Sequence, residues 1–424
     1  MASGVQALES AVGSSGRDPR MEASDTQVLE LCARLAVLLS KSGAPSHRLE
    51  RAIDVVLMAS GRSGAVVASP TAVWLQVEAH ARVLRVDPGD VELAVLTRLL
   101  RLVDRIDEGL SIPDGLAALR RLERAGQPWP LAAERGAFVL TSVAAAVLLG
   151  GGVADLFASA VAGGVALLLL ARLGRGSSWH PLRDLLLAGV LGVLGAAAAA
   201  FGASPMVVAL AGAILVVPGL SLTTGIAEAA AGHWSSGSAR LLGAAVSLVQ
   251  LAAGVSLGWW LVGDLSPLWG SRDLPGLVVE LAPLFAPALF AVLLRARPQD
   301  LPVIWLTAVL GWSVAEGMEG LAGTFAAATT IGAAARLLGR LSRVPDLVLV
   351  LPGVLLLVPG TVGVHGVDQL LALDVDGGMT TAMGALQVAG ALAGGLFAGQ
   401  ALAMRMDRAI RTSTAARQTG AAWT

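Results

Sequence analysis

Residues 205–227 read PMVVALAGAILVVPGLSLTTGIA, and residues 346–368 read DLVLVLPGVLLLVPGTVGVHGVD. Both stretches are apolar and have the length of about 20 residues that a bilayer-spanning helix needs. Each contains an internal Pro-Gly pair at the same place, Pro218-Gly219 in the first and Pro359-Gly360 in the second. Because proline removes a helical hydrogen bond and glycine loosens the turn, the sequence predicts two interrupted membrane helices.

The two interrupted stretches belong to a longer internal repeat. In the register that places Pro218 on Pro359, the alignment continues without a gap through matched glycines, namely Gly212 with Gly353, Gly225 with Gly366, Gly237 with Gly378, Gly243 with Gly384, Gly254 with Gly395 and Gly258 with Gly399. A common register of this kind is typical of a repeated structural unit. Each unit is predicted to have five spans, and an odd number of spans turns the second unit upside down, which predicts inverted repeats.

The composition excludes a wholly soluble protein. Hydrophobic residues make up 55% of the 424 residues and charged residues 14%, whereas soluble domains carry about 25% charged residues. The charges are concentrated near the start, because residues 1–135 contain 33 of them and the other 289 residues contain 28. The sequence therefore predicts a soluble N-terminal part followed by a long membrane part, and it excludes a disordered protein and a disulfide scaffold.

Ten stretches of the membrane part are predicted to span the bilayer. They are residues 136–151, 153–172, 184–202, 205–227, 239–262, 277–294, 301–315, 318–336, 346–364 and 379–403. The arginines support this count, since cytoplasmic loops of membrane proteins are enriched in Lys and Arg. With the N-terminal part inside, the inside loops and the C-terminal tail hold thirteen arginines, and the outside loops hold Arg272 alone. Both ends of the chain are therefore predicted to be cytoplasmic.

We predict five segments along the chain. They are a polar tail at 1–24, a small cytoplasmic α/β domain at 25–130, a first transmembrane repeat at 131–265, a second at 274–405 and a basic cytoplasmic tail at 406–424. Within the α/β domain, the residue patterns predict helices at 25–43, 46–60, 90–107 and 112–125 and strands at 65–78 and 81–86. The predicted fold class is a polytopic α-helical membrane protein of about ten transmembrane helices, arranged as two inverted five-helix repeats, with a small α/β N-terminal domain.

The candidate substrate site lies at the two Pro-Gly interruptions. Interrupted helices of inverted-repeat transporters present backbone groups near the membrane midplane, and the start of a helix binds carboxylates. The candidate substrate-binding residues are Pro218, Gly219, Ser221, Thr223 and Thr224 in the first repeat, and Pro359, Gly360, Thr361 and His365 in the second. The alternative is that the Pro-Gly pairs are kinks that serve helix packing only.

Three acids at span ends are candidates for proton coupling: Glu316, Glu228 and Asp368. Acids inside a membrane often form proton relays, whereas the alternative places these three in wet loops. Mid-span hydroxyls and amides, among them Ser247 and Gln250, are interpreted either as helix-to-helix hydrogen bonds or as the lining of a path.

The soluble domain offers no clear catalytic site. His47 and Glu50 share one predicted helix and His80 lies on a predicted strand, but no third group supports catalysis, so a solvated face is the simpler interpretation. The single cysteine, Cys32, excludes an internal disulfide and a cysteine metal cluster. We therefore expect a protein that is not an enzyme and that has no metal or cofactor, and the net charge of −1 gives no indication of a nucleic-acid partner.

Several groups of residues resemble the threonine/serine exporter family. They are the helix start SGAPSHRLE at 42–50, the series Pro218-Gly219, Gly225, Ser236-Gly237 and Arg240, and residues 298–301, 326–332, 344–345 and 357–360, which resemble the smaller partner of a related two-subunit system. The resemblance covers nearly the whole chain beyond the tail and implies a fused form. It implies export of threonine and serine across a bacterial inner membrane, powered by the proton-motive force, with a cytoplasmic N-terminal domain and ten spans.

Two other functions stay open at this point. The two-subunit relatives are linked to succinate export, and a dicarboxylate exporter would need a cation near the site, for which Arg240 is the candidate. A membrane sensor whose N-terminal domain binds a ligand is the alternative from another class. Family members have a polar residue after the first Pro-Gly, where this chain has Leu220-Ser221, so Ser221 or Thr223 is the expected contact. The sequence leaves open whether the chain is a monomer or a homo-oligomer.

Overall fold

The computed structural model describes residues 24–86, 89–124, 126–174, 177–263, 274–357 and 375–420. The chain divides into two compact units, the first made of residues 1–89 and 98–125 and the second of residues 90–97 and 126–424. The first unit contains helices and the one sheet of the described residues, and the second is helical.

The first unit is a small α/β unit. Its elements are α1 (Asp25–Lys41), α2 (Ser46–Ala59), β1 (Gly64–Ala68), β2 (Ala72–Val77), β3 (His80–Arg85), α3 (Leu93–Asp107) and α4 (Ile112–Glu123). The strands form an antiparallel sheet in the order β1-β2-β3, with Val67 opposite Trp74 and Trp74 opposite Val83. Residues 93–97 of α3 are counted with the second unit.

The predicted single strand at residues 65–78 is wrong, because the structure divides it into β1 and β2. Pro70 lies at the division and has no amide to give to a sheet. The turn is closed by Ser69, whose backbone amide donates to the carbonyl oxygen of Ala72 at 2.8 Å, while its hydroxyl accepts from the Ala72 amide at 3.1 Å. The Ser-Pro pair therefore turns the chain back on itself to form a hairpin.

Helix α1 begins at a capping box, since the Ser24 hydroxyl accepts from the Gln27 amide and the Gln27 side chain accepts from the Ser24 amide. This satisfies two of the amides that every helix start leaves without partners. Leucines at helical spacing, Leu31, Leu35 and Leu39, are fully buried and form the centre of the core. Cys32 is buried beside them, and burial raises the pKa of its thiol to about 12, which makes the thiol unreactive.

The second unit consists of eleven α-helices within the described residues. They are α5 (Leu131–Leu148), α6 (Val153–Arg172), α7 (Arg183–Ala198), α8 (Pro205–Ala213), α9 (Gly219–Ala230), α10 (Trp234–Val262), α11 (Gly276–Leu293), α12 (Leu301–Gly317), α13 (Gly320–Ser342), α14 (Asp346–Leu357) and α15 (Val375–Gly420). Each predicted span coincides with one of these helices, except that residues 205–227 divide into α8 and α9, and residues 358–364 of the ninth predicted span lie outside the described residues.

Seven stretches of the described helices are long and apolar enough to cross a membrane. They are Leu131–Leu148, Val153–Arg172, His180–Phe201, Trp234–Val262, Gly276–Leu293, Gly320–Ser342 and Thr380–Met406. Helix α14 is apolar but shorter. The chain is therefore a polytopic helical membrane protein, as predicted, and the count of ten spans stays a prediction.

Glycines bring α7 against α10 and α13 against α15 at equivalent places. The glycines are Gly254 and Gly258 on α10 and Gly395 and Gly399 on α15. A Cβ atom at any of them would overlap a backbone carbonyl oxygen of the facing helix, those of Leu185, Gly189, Phe325 and Thr329 respectively. The facing helices also approach through Gly192 and Gly332, where a Cβ atom would lie 2.6 Å from a carbonyl oxygen in each case. The contacts recur in the register that aligns the two Pro-Gly pairs, or one position from it, which supports the predicted internal repeat.

Candidate functional site

The chain is interrupted between α8 and α9, where the sequence predicts a broken helix. Helix α8 ends at Ala213 and α9 begins at Gly219, with Pro218 at the N-cap position. The Gly219 amide donates to the Val217 carbonyl oxygen at 2.9 Å, and the Leu222 amide donates to that of Pro218 at 3.0 Å. Pro218 thus stands where its missing amide costs least, just before the first turn of a new helix.

The interruption follows a fully buried helix and is itself half-buried. All nine residues of α8 are buried, and Ile214 to Pro218 are half-buried. Helix α9 packs against α10 and also against α15. Backbone groups that leave a helix ladder at membrane depth are tolerated where protein or a wet cavity surrounds them, and the burial of α8 meets that condition.

The hydroxyls of Thr223 and Thr224 point back to their own helix. Thr223 is 2% exposed and donates from Oγ1 to the Gly219 carbonyl oxygen at 3.2 Å, and Thr224 donates to that of Leu220 at 2.8 Å. A hydroxyl has one donor and two acceptor lone pairs, so these oxygens present acceptors in this conformation. Such acceptors suit an ammonium or hydroxyl group of a ligand, and a carboxylate would need the backbone amides at the start of α9 instead. Ser221, close to the start of α9, is half-buried.

The second-repeat candidates, Pro359, Gly360, Thr361 and His365, lie outside the described residues, as does Asp368. They stay predictions. The part of the same span that the structure describes is α14, which runs through Pro352 without a break. A Pro-Gly pair therefore does not interrupt a helix by itself, because α14 continues through Pro352-Gly353 whereas the chain breaks before Pro218-Gly219.

Glu228 forms a buried ion pair with Arg240. The Arg240 Nε atom donates to the Glu228 carboxylate at 2.9 Å, and the Glu228 side chain is fully buried while that of Arg240 is 25% exposed. The two residues lie on consecutive helices, α9 and α10, twelve positions apart. The sequence identified each residue separately but not their pairing, which depends on the tight turn at residues 231–233.

Glu316 is exposed at the end of α12 and lines an open cleft of about 670 Å³. Glu319, Thr324 and Gln387 share this cleft, which lies between the α12–α13 turn and α15. A carboxylate that water reaches has no need of a partner. The structure therefore does not bring Glu316 together with Glu228, the other described acid among the proton-coupling candidates.

Two buried acids have structural contacts that the sequence analysis missed. Asp155, 2% exposed, accepts from the amides of Gly152 at 2.7 Å and Ser204 at 2.6 Å, and so joins the start of α6 to the residue before α8. Asp184, 8% exposed, accepts from the Arg183 guanidinium at 2.8 Å and from the Ser247 hydroxyl of α10. The available signal for Asp155 was an acid at the first turn of a helix after three glycines, a capping position.

Of the candidates in the first unit, Glu50 has a structural contact. Glu50 accepts from the backbone amide of Ala68 at 2.7 Å and so ties α2 to β1. The expectation of a solvated face is thus wrong for Glu50, because its carboxylate satisfies the end of a strand. His80 is exposed at the start of β3. Among the described residues, no group of three or more His, Cys, Asp and Glu is arranged to hold a metal ion.

The fold defines a multi-pass helical membrane protein with an interruption between the buried helix α8 and α9. Comparison with protein families specifies it further. Residues 30–262 match the family described as putative threonine/serine exporter, and residues 281–402 match a second description, threonine/serine exporter, ThrE. The chain therefore belongs to the threonine/serine exporter family, in a form that carries both parts in one polypeptide, and the resemblance predicted from the sequence is confirmed. No curated protein and no solved structure matches the chain.

Proposed function

We propose that the chain is a secondary active exporter of threonine and serine, driven by the proton-motive force. It works by alternating access at a site near the membrane midplane that the two interrupted helices form. The observation that carries the proposal is the family membership of both halves. The half-buried interruption between α8 and α9 supports the location of the site, because broken helices bind substrate in many secondary transporters.

The chemistry of the first interruption suits an amino acid with a hydroxyl side chain. In our proposal the first amides of α9, around Gly219 and Ser221, hold the carboxylate, since a helix start carries partial positive charge. The Thr223 and Thr224 oxygens accept from the ammonium or the hydroxyl group. Pro359, Gly360, Thr361 and His365 provide the matching surface from the second repeat.

We further propose a topology of ten spans in two inverted repeats, in a bacterial inner membrane. Residues 25–130 form a cytoplasmic domain, and both chain ends are cytoplasmic. The distribution of arginines in the sequence supports this orientation, and the recurring glycine contacts of α7 with α10 and of α13 with α15 support the repeat. One repeat moves against the other to present the site to each side in turn.

Proton coupling is assigned to the three acids Glu316, Glu228 and Asp368. Glu228 is the one that is fully buried and ion-paired, which is the usual condition of a functional acid inside a membrane. Glu316, exposed in its cleft, is accessible to water and suits proton exchange with one compartment.

The experiment that tests the function is efflux from cells that express the full chain and are fed a threonine-containing peptide. External threonine, serine and succinate are followed together, with and without an uncoupler. We expect efflux of threonine and serine that the uncoupler abolishes. Gly219→Leu and Gly360→Leu are expected to reduce it to the level of cells without the protein, because a leucine fills the space at a broken helix.

The matched control is Gly243→Leu, since a Cβ atom at Gly243 meets nothing within 4 Å. This variant should keep wild-type efflux. Efflux of succinate alone would replace the proposed substrate by a dicarboxylate. No efflux from protein that is folded in the membrane would contradict transport and favour a sensor.

A further inference from the structure

The stretch from the start of α8 to the end of α10 holds very little charge. Across residues 205–262 the sequence contains one acid, Glu228, and one Lys or Arg, Arg240. The structure pairs these two with each other at 2.9 Å. The formal charges of Glu228 and Arg240 therefore cancel within residues 205–262.

The ion pair is held in place by close backbone packing. A Cβ atom at Gly237 of α10 would lie 2.7 Å from the Gly225 carbonyl oxygen and 2.8 Å from the Ala229 amide nitrogen of α9. Glu228 is next to Ala229, and Arg240 is one turn beyond Gly237. The glycine contact thus fixes the distance between the two helices on which the charged groups stand.

The second repeat has uncharged residues at the positions that correspond to this ion pair. In the register that places Pro218 on Pro359, Glu228 corresponds to Gln369 and Arg240 to Thr381. Gly237, which packs α10 against α9, corresponds in sequence to Gly378. The two charges are therefore not part of the repeated sequence pattern, which points to a role of the pair in the first repeat alone.

The pair lies close enough to the interruption to act on the charge of a bound molecule. Nine positions separate Gly219 from Glu228 on one helix, which is about 13 Å along its axis. At that distance, with the effective dielectric constant of about 20 that fits protein sites, one unit charge changes the affinity for another by about tenfold. An unpaired Arg240 would thus favour anions at the interruption, and its pairing with Glu228 removes that preference.

We propose that Glu228 determines the charge specificity of the site. By neutralising Arg240 it leaves α8, α9 and α10 without net charge, so that a zwitterionic amino acid is accepted and a dicarboxylate is rejected. A dianion has no countercharge there and would lose its hydration without compensation, whereas an amino acid brings both charges itself. This proposal rests on the proposed function. It names Glu228 as the residue that makes the exporter select amino acids and not dicarboxylates.

The test uses the full chain in proteoliposomes loaded with equal concentrations of threonine and succinate. The ratio of succinate to threonine release is measured as flow down the substrate gradients with no proton gradient imposed, because Glu228 is also a candidate for proton coupling. Wild-type protein is expected to export threonine with little succinate. In Glu228→Gln, which is isosteric and leaves Arg240 charged, the ratio should rise about tenfold per unit of net substrate charge.

The double variant Glu228→Gln/Arg240→Gln is the matched control, because it removes both charges and restores neutrality. It should return the ratio to the wild-type value. Arg240→Gln alone should not raise the ratio, since it removes the cation and leaves the acid. This variant keeps the test decisive if Glu228→Gln fails to fold.

Three results would overturn the proposal: an unchanged ratio in folded Glu228→Gln, an equal rise in the double variant, or a rise in Arg240→Gln. Succinate export by the wild type at the rate of threonine would overturn it as well. Absence of threonine and serine efflux from the folded wild type contradicts the proposed function itself, so the two failures are distinguishable.

Discussion

The helix pair α7 and α10 of the first predicted repeat and the pair α13 and α15 of the second are alike in their backbone contacts and unlike in their polar groups. Glycines of α10 and α15 meet carbonyl oxygens of the facing helix at equivalent positions. The first pair also has a hydrogen bond from Ser247 to the buried Asp184, and the second pair has Val388 in place of Ser247 and no acid at the position of Asp184, where the register gives Phe325 and the position before it is Thr324. The close packing is therefore repeated, whereas the polar contacts differ between the repeats.

The physical reason lies in how helices associate in lipid. Lipid chains are as apolar as leucine, so the hydrophobic effect gives little drive and small residues that permit close approach decide the packing. The glycines at these contacts cannot change without separating the helices. A polar side chain between the same helices is under no such constraint, and each repeat has acquired its own set.

Substitution of a packing glycine gives the largest effect that the comparison predicts. Gly258→Leu on α10 and Gly399→Leu on α15 would each place a side chain against the backbone of the facing helix. Overpacking lowers the free energy of unfolding by about 1–3 kcal/mol where neighbouring side chains can adjust. Here the neighbour is backbone, which cannot move aside, so the cost is larger and we expect loss of folded protein from both variants. The measurement is the yield of monodisperse protein on size-exclusion chromatography in mild detergent.

The controls come from the same two helices. Gly243 and Gly384 also correspond in the repeat, and a Cβ atom at either meets nothing within 4 Å. Gly243→Leu and Gly384→Leu should therefore keep the wild-type yield. A loss confined to the first repeat would show that the two contacts are not equivalent.

The interrupted helix and the glycine repeat could be predicted because Pro218 and the repeated glycines act on the backbone where they stand. The pairing of Glu228 with Arg240 could not, since it depends on the turn that brings α9 and α10 side by side. The contacts of Asp155 with the amides of Gly152 and Ser204 were missed for the same reason, because one partner is 49 residues away.

Exchange of a polar residue for its counterpart in the other repeat gives an intermediate effect. Ser247→Val installs the residue that the second repeat has at this position and removes a donor from Asp184, which keeps Arg183 as partner. A buried acceptor that loses a hydrogen bond costs about 1–3 kcal/mol. We expect a lower midpoint of thermal unfolding in detergent.

The reverse exchange, Val388→Ser, is the control, because it stands beside an open cleft where water satisfies a new hydroxyl. It should change the free energy of unfolding by no more than about 0.5 kcal/mol, as surface substitutions usually do. Equal losses in both variants would show that the hydrogen bond to Asp184 is not the cause.

The smallest effect separates Gly212 on α8 from its counterpart Gly353 on α14. A Cβ atom at Gly212 would lie 2.9 Å from the Ala162 Cβ atom, which cannot move without its helix. At Gly353 the nearest atom, 3.1 Å away, is the terminal Cδ1 of Ile331, which can rotate. Alanine is preferred to glycine in a helix by about 1 kcal/mol, so the gain in helix propensity opposes the steric cost of the new Cβ atom.

Gly212→Ala should lower the unfolding midpoint, because the rigid contact outweighs the gain in helix propensity, whereas Gly353→Ala should leave it unchanged or raise it. A lower midpoint in Gly353→Ala with no change in Gly212→Ala would mean that α14 is the more tightly packed of the two, and the repeat would then differ in its backbone packing as well as in its polar groups.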